Sequence, residues 1–484
     1  MRIPFDLIAA VLVMSVMGSQ LAQNPSPPWL SISSAIPVWL GFWLISWLLN
    51  EWVTRRTEWR TRFGRRMDAQ HGKRHPLEQH SFETLAAQGV MVLLYGVALW
   101  ALQWPVFIRE WPQWLHLSRS ATLGHLELSD SKIAEMVLGL TPFLIAMLLS
   151  WCPRWRLYSL QRRRKFTLWK YLDFEARLTW LPMAAWLLMS LLSDFLDLLP
   201  RGYTRWMMDP ATAIGISLVL MCLLGLVGLP ILMTRYWQCT PMPDGELKDR
   251  LLRLLERSGV KVRKIMVWGS KDTGMLNACV VGPWARFRYV LISPALVDEL
   301  GMDETEAVLA HELGHARHGH LMLLFVMLLC LSAMLQPAIQ LLPPQWHSPL
   351  IEALASFAFI VLYIRGFFGA IMRECEREAD LASAELVGSP IPIMNALEKL
   401  AMRTGNTRNI YTWHHGSIAD RVASVLQLSS DPAGSERVHA QTRRVRFLFA
   451  VLALLAIVLQ VMPDHRADRS MKGADAPASK SLEL

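Results

Sequence analysis

No CxxC pair and no regular cysteine spacing occurs in this 484-residue chain, whose six cysteines lie scattered at Cys152, Cys222, Cys239, Cys279, Cys330 and Cys375. That absence removes a disulfide framework and a thiolate metal site from consideration. Charge is also scarce: 18% of residues are charged against 53% hydrophobic, and the mean hydropathy of +0.27 is unusual for a soluble protein. No internal repeat or low-complexity tract precedes the tail from Arg466 to Leu484, whose Ala, Ser, Lys and Asp content predicts disorder. The net charge of +9 does not point to nucleic acid, because most Lys and Arg sit in short stretches between apolar runs. Basic residues so placed retain cytoplasmic loops. The chain falls in the membrane class, with lipid as one partner and nucleic acid excluded as another.

A bilayer core of about 30 Å needs about 20 apolar residues in helix. About nine windows qualify, over 5–22, 30–50, 84–107, 135–152, 179–199, 211–233, 321–342, 350–371 and 445–462. The first also has the look of a signal peptide, since Met1-Arg2 precedes a modest apolar run and small residues follow near Ala22, but a retained anchor is the preferred reading. Asp194 and Asp197 near the end of the fifth are expected at the interface or against other helices. The stretches Thr54–Arg74 and Pro153–Arg177 hold eight basic residues each, whereas 108–134 holds three. Nine alternating spans from a cytoplasmic N-terminus put both basic loops inside, together with the polar regions 234–320 and 372–442, and the tail outside. Trp29, Trp52, Trp104 and Trp151 lie near span ends, as an aromatic belt would place them.

The first polar region reads as a small α/β unit. Leu247, Leu251, Leu254 and Leu255 have helical spacing over 245–258, ended by Gly259. Val262–Trp268, Asn277–Val281 and Tyr289–Ile292 read as strands. Asp303 as N-cap with Glu306 three residues on forms a capping box that opens the next helix, which carries the segment HELGH. In that helix His311 and His315, four residues apart, share a face and can reach one ion, with Glu312 beside them to handle a water: the HExxH arrangement. By chance HExxH arises in roughly one or two chains of this size per hundred, so the rest of the sequence has to support it.

Zinc needs a third protein ligand and an open position for water. The long metzincin pattern, with glycine at position 318 and histidine at position 321, is excluded by His318 and Leu321. The gluzincin layout takes a glutamate from a later helix, and Arg373–Asp380 (RECEREAD) supplies Glu376, with Asp380 one turn on to bind the outer nitrogen of a ligating histidine. The alternative is a charged, solvated helix face, and Glu374 with Glu378 has the same spacing while pointing away from the face that Glu376 shares with Asp380; His318 and His320 are read as interfacial or solvent-facing. A histidine in the segment Trp413–Val422 can donate to a developing oxyanion, and Arg421 can brace carboxylates near the metal.

Together these residues resemble the membrane metallopeptidases that include the type 1 CAAX prenyl proteases and the HtpX heat-shock proteases. The likeness is ordered along 235–425: PDGEL at Pro243, LNACVVG at Leu276, YVLISPALV at Tyr289, VLAHELGHARHGH, RECEREADLASAELVG and HHGSIADRV, with the apolar hairpin between the metal motifs. The resemblance implies His311, His315 and Glu376 as ligands of one Zn2+, Glu312 as general base, Asp380 as the partner of a ligating histidine, and Asn277-Ala278 on an edge strand that receives substrate backbone. His415 and Arg421 match the family's later His and Arg, although Gly416 stands where the family usually has proline.

The expected fold is mainly α: a polytopic helical membrane protein with a gluzincin-like α/β catalytic domain interrupted by a transmembrane hairpin. Its parts are 1–233 (multi-span region), 234–320 and 372–442 (halves of the catalytic domain), 321–371 (hairpin) and 443–484 (last span and tail). The expected function is zinc-dependent cleavage of membrane-associated peptide or protein substrates at the cytoplasmic face. The rivals are a receptor-type signalling metalloprotease that cleaves a repressor or itself, and a non-catalytic scaffold, against which the intact Glu312 argues.

Overall fold

The structure is a computed structural model that describes residues 32–461 apart from 64–75, 115–116, 119–120, 124–125, 163–165, 199–222, 270–274 and 405–406, together with Ala10. It is mostly helical. The N-terminal half holds α1 (Ile32–Phe63), α2 (Pro76–Ala101), α3 (Lys132–Arg162) and α4 (Leu168–Leu198), followed by the short α5 (Leu229–Tyr236). Along α1 the exposed side chains Ile36, Leu40, Leu44, Leu48 and Trp52 form an apolar stripe at steps of four, while Trp39, Phe42 and Ser46 face inward. Such a stripe has no aqueous rationale and suits lipid contact.

Among the described residues four helices are long and apolar enough to cross a membrane, within Ser33–Arg62, Phe82–Ala101, Lys132–Leu160 and Leu354–Val387, or five if the pair Met302–Arg317 and His320–Leu331, bent by 53°, is one span. The expected count of nine is not reached among the described residues: the window 5–22 apart from Ala10 lies outside them and 211–233 is described only from 223, while the helices over 179–199 and 445–462 are not among those that qualify. Asp194 does face another helix. At the end of α4, 6% exposed, it accepts from Ser131 Oγ at 2.6 Å and from the backbone N–H groups of Lys132 and Ile133 at 2.6 and 3.2 Å. It thus neutralises the unpaired donors at the start of α3.

Described residues at the starts of the two basic stretches meet at one end of this bundle. Arg156 Nη2 lies 2.6 Å from Glu51 and its Nε 3.4 Å from Glu58, tying α3 to α1, and Arg154 donates to Asn50 Oδ1 at 2.7 Å. At the same end Tyr158 and Phe174 pack with Trp237 against Met266, Trp268, Tyr289 and Leu291. The basic end of the helices is therefore the end that carries the α/β unit.

That unit has a four-stranded sheet: β1 (Thr240–Pro241), β2 (Lys264–Val267), β3 (Ala278–Val281) and β4 (Tyr289–Ile292), in the order β1-β2-β4-β3. β2 and β4 are parallel, and β3 pairs antiparallel with β4 at the edge. Helix α6 (Glu246–Ser258) covers the sheet through Leu251, Leu254 and Leu255 and ends on Gly259 at φ 68°, as its leucine spacing requires. Next come α7 (Met302–Arg317), α8 (His320–Gln340), α9 (Pro349–Leu362), α10 (Gly369–Val387), α11 (Ile391–Arg403), α12 (Ile418–Ser429) and α13 (Pro432–Val461). α9 runs into α10 through a π turn, Tyr363–Phe368, so the apolar stretch 350–371 delivers its polar continuation directly to α7.

The cap of α7 differs from expectation by two residues. Gly301 is the N-cap, and Glu304 Oε2 accepts its N–H at 2.8 Å. Asp303 is drawn instead to Arg250 of α6 at 2.5 Å, and Glu306 pairs with Arg257. α7 then lies unusually close to α10. A Cβ on Gly314 would stand 3.0 Å from Ala382 Cβ and 3.1 Å from Ala379 Cα, and Ser383 Oγ donates to Ala307 O at 2.7 Å across the same seam. Gly314→Val should cost about 1–3 kcal/mol as an overpacked core does. A lower melting temperature of the purified protein, with reduced metal retention, is the expected readout; an unchanged melting curve would contradict this packing.

Candidate metal centre

His311 and His315 leave α7 one turn apart with their rings 4.8 Å between centroids and perpendicular. Their Nε2 atoms are 3.2 Å apart. Glu376, on α10, sets Oε2 3.6 Å from His311 Nε2 and Oε1 3.5 Å from His315 Nε2. Ligand atoms about 2.1 Å from a tetrahedral ion stand about 3.4 Å from one another, and with one Glu376 oxygen turned to each imidazole the group is compact enough for one small divalent cation. Glu376 is 3% exposed, and its Oε2 is buried with no hydrogen-bond partner. A buried carboxylate that turns one oxygen to each of two imidazole nitrogens fits a metal of the zinc type, for which two nitrogens and one oxygen are an ordinary donor set.

The surroundings hold these groups in place. Asp380, 1% exposed, sets Oδ1 2.8 Å from His311 Nδ1, and it accepts a fork from Arg421 of α12, Nε at 2.8 Å and Nη2 at 2.6 Å. Arg421 Nη1 also lies 3.1 Å from Glu376 Oε2. Burial works against ionising Asp380, but the Arg421 guanidinium and His311 hold its carboxyl down at about 2. Burial likewise opposes the charge on Glu376, and Arg421 and His415 together keep it well below the usual carboxylate range. One guanidinium thus serves both carboxylates of the cluster, a bidentate role that lysine cannot fill.

His415 comes from a tight loop. Thr412 and Gly416 exchange backbone hydrogen bonds at 3.0 and 2.9 Å, and Gly416 takes φ 73°. Proline could supply neither that φ nor that N–H, so the glycine at this position defines a different turn. The loop sets His415 Nδ1 2.8 Å from Glu376 Oε1 with the ring 42% exposed. Burial pushes the neighbouring His414 down to about 3, which keeps it neutral.

Glu312 is half-buried beside the cluster. With burial, its charge raises the Cys279 thiol on β3 well above the usual range, and it also acts on Arg421. Glu312 is therefore electrostatically coupled both to the edge strand and to the residues around the metal centre. Asn277, at the start of that strand, is half-buried, with its N–H on Ser293 Oγ at 3.0 Å and its carbonyl on Ser293 N–H at 2.9 Å. Ala278 is buried.

Two residues do not behave as the spacing predicted. Glu378 is 0% exposed rather than on a solvated face, and His320 is 1% exposed rather than at an interface. His318, His320 and His439 of α13 all lie within 3.2 Å of Glu378 oxygens. Bonds to Glu378 and Glu385 raise His439 to about 9 against the effect of burial. The HxH pair at 318 and 320 was a visible signal; His439, 61 residues from Glu378, carried none.

Residues 241–445 match the model of peptidase family M48. The chain is 37% identical over 111 residues to CAAX prenyl protease 1 of Saccharomyces cerevisiae, covering 22% of this chain and 24% of that protein. It is 26% identical over 214 residues to a protease HtpX homolog of Herminiimonas arsenicoxydans, covering 40% of this chain and 70% of the relative. The crystal structure of S. mikatae Ste24p superposes with a TM-score of 0.51 at 18% identity, over 83% of this chain and 100% of that one, which carries the fold. Residues 241–445, which hold the HELGH helix and its partner helix, thus resemble a peptidase M48 domain.

Proposed function

We propose that the chain is a zinc-dependent endopeptidase that cleaves membrane-associated polypeptides at the cytoplasmic face of its membrane, with one Zn2+ held by His311, His315 and Glu376. The observation that carries the proposal is that the two Nε2 atoms stand 3.2 Å apart while the buried Glu376 carboxylate sets one oxygen 3.6 Å from His311 Nε2 and the other 3.5 Å from His315 Nε2. Zinc held there would supply a Lewis acid for a peptide carbonyl and would lower the pKa of a water. Glu312 is the residue placed to accept a proton from an attacking water and return it to the leaving amine. Asp380 keeps the His311 proton on Nδ1, leaving Nε2 free to ligate, and Arg421 holds Glu376 and Asp380 in register. His415, exposed enough to meet a substrate, stabilises the oxyanion.

Substrate backbone adds to the edge strand at Asn277-Ala278, since β3 has β4 on one side and no strand on the other among the described residues. The cytoplasmic orientation follows from the basic loops, which share an end of the bundle with the α/β unit, and basic loops face the cytoplasm. In this reading 234–320 and 372–442 are the two halves of the catalytic domain, 321–371 is the membrane hairpin between them, and 1–233 and 443–484 are membrane-anchoring parts.

Three outcomes are expected. Glu312→Gln should lower peptide cleavage by about 10²–10⁴-fold with zinc still bound; wild-type turnover in a preparation free of other proteases would refute the mechanism. Glu376→Ala should lose zinc and activity together, whereas Glu374→Ala, which removes an exposed pair with Arg377, should keep both. Reporter fusions after residues 70 and 240 should both report the cytoplasm, and opposite sides for the two would overturn the topology.

A further inference from the structure

Glu378 has no task in the mechanism above, yet it is fully buried and is a hub of bonds among helices α7, α8, α10 and α13. Its Oε2 stands 2.8 Å from His320 Nε2. The other nitrogen of that ring, His320 Nδ1, stands 2.8 Å from His315 Nδ1. His315 turns its Nε2 to the metal cluster, 3.2 Å from His311 Nε2.

One proton arrangement satisfies every member of this chain. A ligating Nε2 bears no proton, so the His315 proton is on Nδ1 and is donated to His320 Nδ1. His320 Nδ1 must then be an acceptor, which leaves its proton on Nε2, donated to the Glu378 carboxylate. Glu378 Oε1 is in turn held by His439 Nδ1 at 2.7 Å, with Arg446 Nη2 at 3.8 Å. The two histidines of α7 are thus backed alike by carboxylates of α10, His311 directly by Asp380 and His315 through an interposed imidazole by Glu378.

We propose that Glu378 and His320 form a positioning relay that fixes the tautomer and ring orientation of His315, and thereby sets the affinity of the centre for zinc. The proposal rests on the zinc reading of His311, His315 and Glu376. His318, Glu378 and His439 have the composition of a second metal site. Their separations of 2.7 and 3.2 Å are instead those of hydrogen bonds, and the Arg446 guanidinium beside Glu378 would repel a cation. The relay explains both the burial of Glu378 and the His315–His320 contact, and a second ion would leave the latter without a purpose.

The test is zinc affinity of the purified full-length protein, measured by chelator competition, for His320→Asn, Glu378→Gln, the double variant and Asp380→Asn. Asparagine is too short to join His315 to Glu378, and glutamine keeps the volume of Glu378 while losing its charge. Each single change in the relay should weaken zinc by about ten- to a hundred-fold, with the metal-free melting temperature close to wild type for His320→Asn and lowered for Glu378→Gln, which leaves His439 without its counter-charge. Because the two residues act in series, the double variant should be no weaker than the worse single one. Asp380→Asn, on the other arm, should multiply with His320→Asn.

A His320→Asn protein that binds zinc within twofold of wild type would overturn the relay. So would relay losses that multiply in the double variant, or a wild-type protein with two zinc equivalents of which Glu378→Gln removes one and leaves the other at full affinity. A wild-type protein that binds no zinc would instead overturn the proposed function itself. A Glu378→Gln protein that does not fold leaves the decision to His320→Asn and its combination with Asp380→Asn.

Discussion

The backbone approach of α7 to α10 at Gly314 is the constraint on which the site depends. A side chain at that position would meet Ala379 and Ala382 at about van der Waals overlap, and any widening of the seam would separate two histidines on one helix from three acidic residues on the other. At the observed spacing Glu376 reaches both Nε2 atoms, Asp380 reaches His311, and Glu378 reaches His320. Small residues in the seam and long ones beside it are two aspects of one packing solution. The π turn ahead of α10 links that seam to an apolar helix, so the position of the third candidate ligand is tied to the membrane part of the chain.

Buried charge is the second theme. Glu376, Glu378 and Asp380 are each at most 3% exposed, and buried carboxylates without partners are strongly destabilising. Compensation comes from elements late in the chain: Arg421 on α12 for Glu376 and Asp380, and His439 on α13 for Glu378. The electrostatic frame therefore closes only when the C-terminal helices have docked. The metal centre and the helix leading into the last apolar window are thus one folding unit in electrostatic terms.

Much of this was legible in the sequence because it is local. The α6 boundaries follow from leucine spacing and Gly259, the strands from short apolar runs, and the pairing of His311 with His315 and Glu376 with Asp380 from helical periodicity. What escaped is non-local. Asp303 is a good cap residue by type, but Arg250 fifty-three positions earlier takes its carboxylate, and Gly301 is the N-cap in its place, with Glu304 accepting its N–H. Glu378 has the helical phase of an exposed residue if α10 has one partner; it has several, and α8 and α13 cover the face that periodicity assigned to solvent. The Gly416 turn shows the same limit, since the departure was visible but the left-handed geometry that it serves was not.

The central claim is that one metal ion sits among His311, His315 and Glu376, bound by nitrogen and oxygen alone. X-ray absorption at the zinc edge on the purified full-length protein tests it most directly. The account predicts one zinc per chain with light-atom ligands at about 2.0–2.2 Å, two of them imidazoles, and loss of that signal in Glu376→Ala. A sulfur ligand at about 2.3 Å, or an unchanged spectrum in Glu376→Ala, would contradict it.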